Sequence, residues 1–405
     1  MPTARDLPTP LVALFAVACG ISVANVYYAQ PLLDALAADF GIARGAVGGV
    51  ITATQIGCGL ALLFVVPLGD IWPRKRLLLV QLVLLAFTLL ALAASRHVGL
   101  LLAGMLALGL LGTAMTQGLI VYAAAAAGEH QRGAVVGAAQ GGVMAGLLLA
   151  RTVSGLIADL AGWRAVYLVS ALFCLLLSLC LARLLPPPAP AQAMRYRDLL
   201  ASLAGQLRRN PVLRARGLLG FWIFAVLGLF WSAMALPLAD AGLSTAAIGA
   251  FGLLGVAGAL GAARAGRQAD QGHAQATTGW ALALMLLSWL PLAALGQSLW
   301  WLGLGIVLLD LAAQAVHVTN QSLILAAPPA LHGRLIGGYM LFYAAGSGAG
   351  ALFTTHLYAW AGWPAVCAAG AAASACALLC WRRSAALSAE NASPARASRH
   401  RPAGQ

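Results

Sequence analysis

Charge is what this chain has least of. Only 9% of its 405 residues are charged, against about 25% in a soluble globular domain. Acidic residues are the scarcer sign, 11 against 24 Lys and Arg. No Gly-x-x-x-x-Gly-Lys-Ser/Thr loop occurs, and no soluble stretch is long enough for an ATPase domain, so nucleotide hydrolysis by the chain itself is excluded as a source of work. The apolar runs lack paired carboxylates, His-Glu-x-x-His and Gly-x-Ser-x-Gly, and nothing reads as an enzyme. Cys19, Cys58, Cys174, Cys180, Cys367, Cys376 and Cys380 all fall inside apolar runs. Cys376 and Cys380 are one helical turn apart but have no His or carboxylate beside them, so neither a metal site nor a cofactor is expected.

What is present is apolar: 61% of residues are hydrophobic. They come in runs of about 20, enough for a helix to cross a hydrocarbon core of about 30 Å. The alternating segments of about ten residues that build a membrane barrel are missing. The expected fold is an all-α polytopic membrane protein, with 12 transmembrane helices as two pseudo-symmetric six-helix bundles. Spans are predicted at 10–32, 45–69, 77–95, 99–126, 134–160, 164–185, 215–239, 245–265, 277–296, 299–326, 335–357 and 363–382. The first run lacks a small-residue cleavage pattern and continues into Asn25-Val26-Tyr27-Tyr28, so it reads as a span and not as a cleaved signal.

The spans divide into a bundle at 10–185, a polar linker at 186–214, a second bundle at 215–382 and a tail at 383–405 expected to be disordered. The linker opens on Pro186-Pro187-Pro188-Ala189-Pro190, which cannot continue a helix, and turns basic at Arg195, Arg197, Arg208 and Arg209, as suits a segment resting on anionic headgroups. With both termini inside, alternate loops hold only Arg44, Arg96 and Arg164. Apart from Arg151, which lies within a span, every other Lys and Arg then falls on the cytoplasmic side. That asymmetry predicts the orientation. It also turns the net charge of +13 into a topology signal and argues against a nucleic-acid partner.

The halves repeat at an offset of 200. Gly162-Trp163-Arg164-Ala165-Val166 matches Gly362-Trp363-Pro364-Ala365-Val366, Asp70 matches Asp270, and Gly137 matches Gly337. A duplicated six-span half is the pattern of transporters that rock two bundles about a midplane site.

One span carries Asp310, Gln314, His317, Asn320 and Gln321 at helical spacing. Lipid does not tolerate such a stripe, so it is expected to face a wet cavity and mark a pathway. Asp310 and His317 are the two groups there that can load and release a proton. The alternative is a static hydrogen-bonded network that only packs helices. Arg151 keeps its charge and needs a partner. It is expected either to pair with Asp310, to bind an anionic group of a substrate, or to bond backbone carbonyls. Asn25, Tyr28 and Gln30 are candidates for the cavity wall on span one, unless the tyrosines are interfacial anchors. Trp231 is the candidate on span seven, and an aromatic wall suits amphipathic or cationic substrates. Gln117 maps onto His317 under the repeat.

Twelve spans, the duplication and the loop Val66-Pro-Leu-Gly-Asp70-Ile-Trp-Pro-Arg74-Lys75-Arg76 together resemble the major facilitator superfamily. Its loop signature is a Gly-x-x-x-Asp followed by a basic cluster; Val66 stands here for the leading Gly. A second copy, Gly266-Arg267-Gln-Ala-Asp270, keeps the Gly and the Asp. The resemblance implies that Asp70, Arg74, Lys75, Arg132, Asp270 and Arg334 form a cytoplasmic gate, and that spans 1, 4, 7 and 10 line the cavity. The alternative is a plain topogenic charge cluster. Gly146-Leu-Leu-Leu-Ala150-Arg151-Thr-Val-Ser154-Gly155 is similar to the family's antiporter signature, with Arg151 in place of its Pro, and Ala114 stands where the family's span-four Arg is expected. Ala-Asn25-Val-Tyr27-Tyr28-Ala-Gln30-Pro31 resembles a bacterial efflux-type subgroup.

These features imply a monomeric secondary transporter of the bacterial inner membrane. It is expected to exchange protons for small amphipathic organic compounds. Proton-coupled uptake of a small organic anion or metabolite, and a non-transporting receptor or scaffold, are the competing expectations.

Overall fold

A chain in lipid must satisfy every backbone N–H and C=O within itself, and an uninterrupted helix does so. In the computed structural model the described residues are 7–128, 130–185, 196–327 and 331–397, without the side chains of Asp70, Asp270 and 384–397. They form helices and no strand. Spans one to six are Thr9–Tyr27, Gly48–Gly69, Arg74–Ala93, Val98–Ala126, Arg132–Ala161 and Trp163–Leu184. Spans seven to ten are Pro211–Asp240, Thr245–Ala269, Ala274–Gly296 and Leu299–Leu325. The last apolar helix, His332–Arg383, has 52 residues, about 78 Å at 1.5 Å per residue, more than twice what a bilayer core accommodates. It breaks at Ala361 (φ −140°) and Gly362 (φ 68°), which makes it spans eleven (332–360) and twelve (363–383).

The repeat is visible in that break. Gly162, between spans five and six, has φ 81°, so both copies turn the chain through a left-handed glycine that a side chain would strain. The tryptophan after each turns inward to a hydrogen bond. The Trp163 indole donates to Asp39 Oδ2 at 3.0 Å, and that of Trp363 to the Leu292 carbonyl at 2.8 Å.

Each half has its own apolar core. One runs from Leu7 to Leu185 around Phe15, Leu36, Leu82, Met115 and Tyr167 and takes in Ala351 from the other half. The other runs from Leu219 to Ala377 around Phe230, Trp289, Ile306 and Val366. Leucines such as Leu168, Leu172, Leu176 and Leu260 stay exposed, as the lipid-facing surface of a span requires.

Three elements depart from the sequence expectation. A short helix, Leu33–Phe40, follows span one and ends on Gly41 at φ 63°, between the first two predicted spans. Within the linker, the segment expected to be basic and amphipathic forms a helix, Tyr196–Arg209, and span seven begins at Pro211 and not 215. The Asn210 side chain caps span seven by accepting from the Leu213 N–H at 3.0 Å, and proline is suited to the first helical position. The backbone after 383 stays helical to Ala397 where disorder is expected; alanine, the best helix former, is frequent there. Residues 186–195, including Arg195, and the end of the tail lie outside the described residues.

Candidate functional site

A cavity of about 600 Å³ lies between the two halves. Its wall takes one face from each of several spans, and the helical period decides which residues are on it. On span one the lining residues are Val23, Val26, Tyr27 and Gln30, spaced three, one and three apart along a single face. Asn25 and Tyr28, both expected on the wall, fall on the opposite face. Asn25 is buried and accepts from Ser170 Oγ at 2.7 Å, tying span one to span six, and Tyr28 packs against the core of the first half. On span ten Asp310, Gln314, His317 and Gln321 line the cavity. Asn320, ten residues after Asp310, is turned about 80° off that face at 100° per residue and is fully buried. These three residues are corrections to the expected wall. Gln117, Arg151 and Trp231 are among the lining residues.

Sequence reasoning missed Phe224, Tyr339 and Tyr343. The Tyr27 and Tyr343 hydroxyls are hydrogen-bonded to each other across the two halves. Phe224 stands edge-on to Tyr343 and to His317. The signal for Tyr27 was present, because it sits one turn before Gln30. Tyr339 and Tyr343 are likewise one turn apart on span eleven, which beyond Arg334 at its start carries no Asp, Glu, Lys or Arg to draw attention to it.

Arg151 forms one end wall. Its Nε donates to Gln30 Oε1 at 2.5 Å and its Nη1 to the Leu147 carbonyl at 3.4 Å. The guanidinium lies 4.0 Å from the Trp231 ring centroid and 5.3 Å from that of Tyr27. Asp310 is near enough to feel that charge and the Trp231 indole, yet among the described residues the two form no direct ion pair. The Asp310 carboxylate rests against Gly255, where an added Cβ would stand 3.0 Å from Oδ2. About 10 Å further along the helix axis, His317 Nδ1 meets the Tyr339 hydroxyl at 3.0 Å and Nε2 meets Gln321 Nε2 at 3.2 Å. With that amide orientation Nε2 accepts and Nδ1 donates its proton to Tyr339. Turning the amide over presents its oxygen, so a doubly protonated ring would also find both partners.

The halves meet most closely at the end of the bundle that carries Arg44. Arg44 bonds Asp34 at 2.7 Å in its own half and Asp240 at 2.5 Å in the other, and Tyr358 donates to Asp240 at 2.7 Å. The Asp240 carboxylate holds the Arg44 guanidinium further above its ordinary range. Asp159 accepts from the N–H groups of Thr245 and Ala246 at 3.0 and 2.9 Å, a carboxylate on the N-terminus of span eight. Beneath these contacts run two seams. Spans two and eleven meet at Gly48, where a Cβ would stand 2.2 Å from the Ala351 carbonyl oxygen; spans five and eight meet at Gly249, where it would stand 2.3 Å from that of Arg151.

At the opposite end Arg74 Nε donates to the Gly69 carbonyl, Lys75 to Leu185 and Arg132 to Ala124, all within the first half. Arg334 is half-buried at the start of span eleven. The Asp70 and Asp270 side chains lie outside the described residues. The cavity reaches Leu325 and Ile336 at this end. A bridge here comes from the linker: Tyr196 donates to the Phe64 carbonyl at 2.7 Å, while Leu203 and Leu207 of the same helix sit over Gly338.

Two helical halves, sealed together at one end of a shared cavity that their polar faces line, define a membrane transporter. The chain belongs to the Major Facilitator Superfamily, whose family model matches residues 12–325. It is 41% identical to the uncharacterized transporter YgaY of Escherichia coli O157:H7 over 94% of this chain and 96% of that one. It is 33% identical to the probable transporter SCO4007 of Streptomyces coelicolor, over 91% and 85% of the two chains. The fold is similar to that of a bacterial homologue of the human lysosomal transporter Spinster, solved inward-facing and occupied, with a TM-score of 0.72 at 14% identity over 93% and 95% of the chains.

Proposed function

We propose that this transporter exports small amphipathic organic compounds from the cytoplasm in exchange for protons, as a monomer in the bacterial inner membrane with both termini inside. The cavity carries the reading: apolar side chains such as Met144, Leu147, Leu227 and Met340 share its wall with the titratable pair Asp310 and His317. The excess of Arg and Lys at the unsealed end orients it towards the cytoplasm by the positive-inside rule, so the geometry suits a state ready to load substrate from within. A proton arriving from outside would be taken by Asp310 and passed by way of His317 to the open end. Arg74, Lys75, Arg132 and Arg334, with Asp70 and Asp270, would close that end in the alternate state.

The test is accumulation of neutral, anionic and cationic amphipathic dyes in cells expressing the protein or its Asp310→Asn variant, at matched amounts of folded protein. Expected is lower accumulation of at least one dye with the native chain, abolished by Asp310→Asn and by collapsing the pH gradient. Extrusion that survives both treatments removes proton coupling; faster entry in place of extrusion reverses the direction.

A further inference from the structure

We propose that the compound bound in this cavity is a monoanion, a single carboxylate on an apolar or aromatic body, and that the cavity rejects organic cations. The proposal deepens the transport reading and rests on it, but concerns charge selection and not coupling. Aromatic walls attract cationic ligands because ring faces are electron-rich. Here the two ring faces at the sealed end of the cavity, those of Trp231 and Tyr27, are already taken. The Arg151 guanidinium covers Trp231 at 4.0 Å and approaches Tyr27 at 5.3 Å. An incoming ammonium or phosphonium would meet a fixed positive charge where the family of aromatic cages offers a vacant face. The rings instead hold Arg151 extended and desolvated, with 6% of its surface exposed. Its Nε and Nη1 are engaged, while Nη2 donates to no described protein atom.

A guanidinium with a free N–H edge, buried at the end of an apolar chamber, is a receptor for a planar oxyanion. One charge is the limit. Among the described residues no other Arg or Lys lines the cavity, and Asp310 on the same wall would repel a second negative group, so a phosphate dianion is poorly matched. The Tyr27 and Tyr343 hydroxyls, bonded to each other, supply a further donor beside the guanidinium. Phe224, edge-on to Tyr343, gives the apolar body a surface. The arginine also stands at the junction between the main cavity and a small void bounded by Met234, Ala235 and Ile248 on the sealed side. A carboxylate drawn to Arg151 is therefore in place to replace Gln30 as the guanidinium's partner before the seal opens.

The experiment is equilibrium binding to the purified full chain in lipid nanodiscs, without any gradient, using 2-naphthoate, its neutral analogue 2-naphthamide and tetraphenylphosphonium. Naphthoate should bind at least about tenfold more tightly than the amide, and tetraphenylphosphonium should bind most weakly. Arg151→Gln should cost naphthoate about tenfold or more while leaving the amide unchanged, the loss expected for one charge-assisted pair. Arg151→Lys should recover part of it, a rescue that a purely structural role would not give. Asp310→Asn, which removes a negative charge from the same wall, should bind naphthoate more tightly, so a failure of proton coupling stays separate from a failure of charge selection. Tetraphenylphosphonium binding best, none of the three binding, or Arg151→Gln binding naphthoate as the native chain does, each overturns the proposal.

Discussion

Spans two and eleven form one seam between the halves, and spans five and eight form the other. They are built alike. Each brings a glycine onto a carbonyl oxygen of the facing helix, Gly48 onto Ala351 and Gly249 onto Arg151. Each is crossed by a threonine hydroxyl donating to a glycine carbonyl, Thr52 to Gly348 at 3.0 Å and Thr152 to Gly249 at 3.1 Å. Residues 151 and 351 are equivalent under the offset of 200. At that position one seam carries a guanidinium and the other a methyl group. The close packing of the seams is thus common to both halves, while the chemistry has been placed in only one. Small residues are what packing in lipid asks for; a buried charge is what a function asks for.

The largest expected effect tests the shared frame. Gly48→Leu and Gly249→Leu each force a side chain into a facing backbone, beyond the usual 1–3 kcal/mol or so of overpacking, and neither seam should close. A cysteine introduced at Met234, buried beneath the seal, should become reactive from outside in both variants of a chain without its native cysteines. Protection in either one would make that seam dispensable. Next comes the difference between the seams. Ala351→Arg puts a guanidinium where the side chain is fully buried, at a cost of about 2.5–3.5 kcal/mol. Arg151→Ala leaves the glycine contact in place, so its melting temperature should fall less than that of Ala351→Arg, although binding is lost. Equal losses in both would mean that Arg151 is structural. A smaller effect is expected from Tyr27→Phe, which removes the hydroxyl bond across the halves, about 1 kcal/mol, read as faster opening of the sealed end. Arg44→Ala should matter least. Its ion pairs are roughly half-exposed, and such pairs contribute about 0–1 kcal/mol. A large fall in melting temperature would place the seal at the surface and not in the seams.

Much of this was legible in the sequence. Apolar length fixes a span, and the offset that pairs Gly162-Trp163 with Gly362-Trp363 already contains the left-handed turn both copies use. Asp310, Gln314, His317 and Gln321 announce a wet face because lipid forbids them elsewhere. Phase within a helix was harder. Asn25 and Tyr28 are polar enough to suggest the cavity, yet a polar group is equally satisfied by a partner helix, as Asn25 is by Ser170. Only the set Val23, Val26, Tyr27 and Gln30 keeps one face, and two of its members are apolar. The seams themselves were hidden, because glycine is abundant in this chain (46 residues) and nothing in one-dimensional order says which glycines meet a carbonyl.

The turn at Gly162 and its copy at Gly362 have a mechanical corollary. They join spans five and six, and eleven and twelve, with no intervening loop, so neither seam helix can tilt without carrying its neighbour. Those neighbours show the acyl chains a broad oily flank, Leu168, Leu172, Phe173 and Leu176 on one and Leu379 on the other. A bilayer too thick or too thin for that flank tilts it, and the two hinges hand the strain on to the joint that opens.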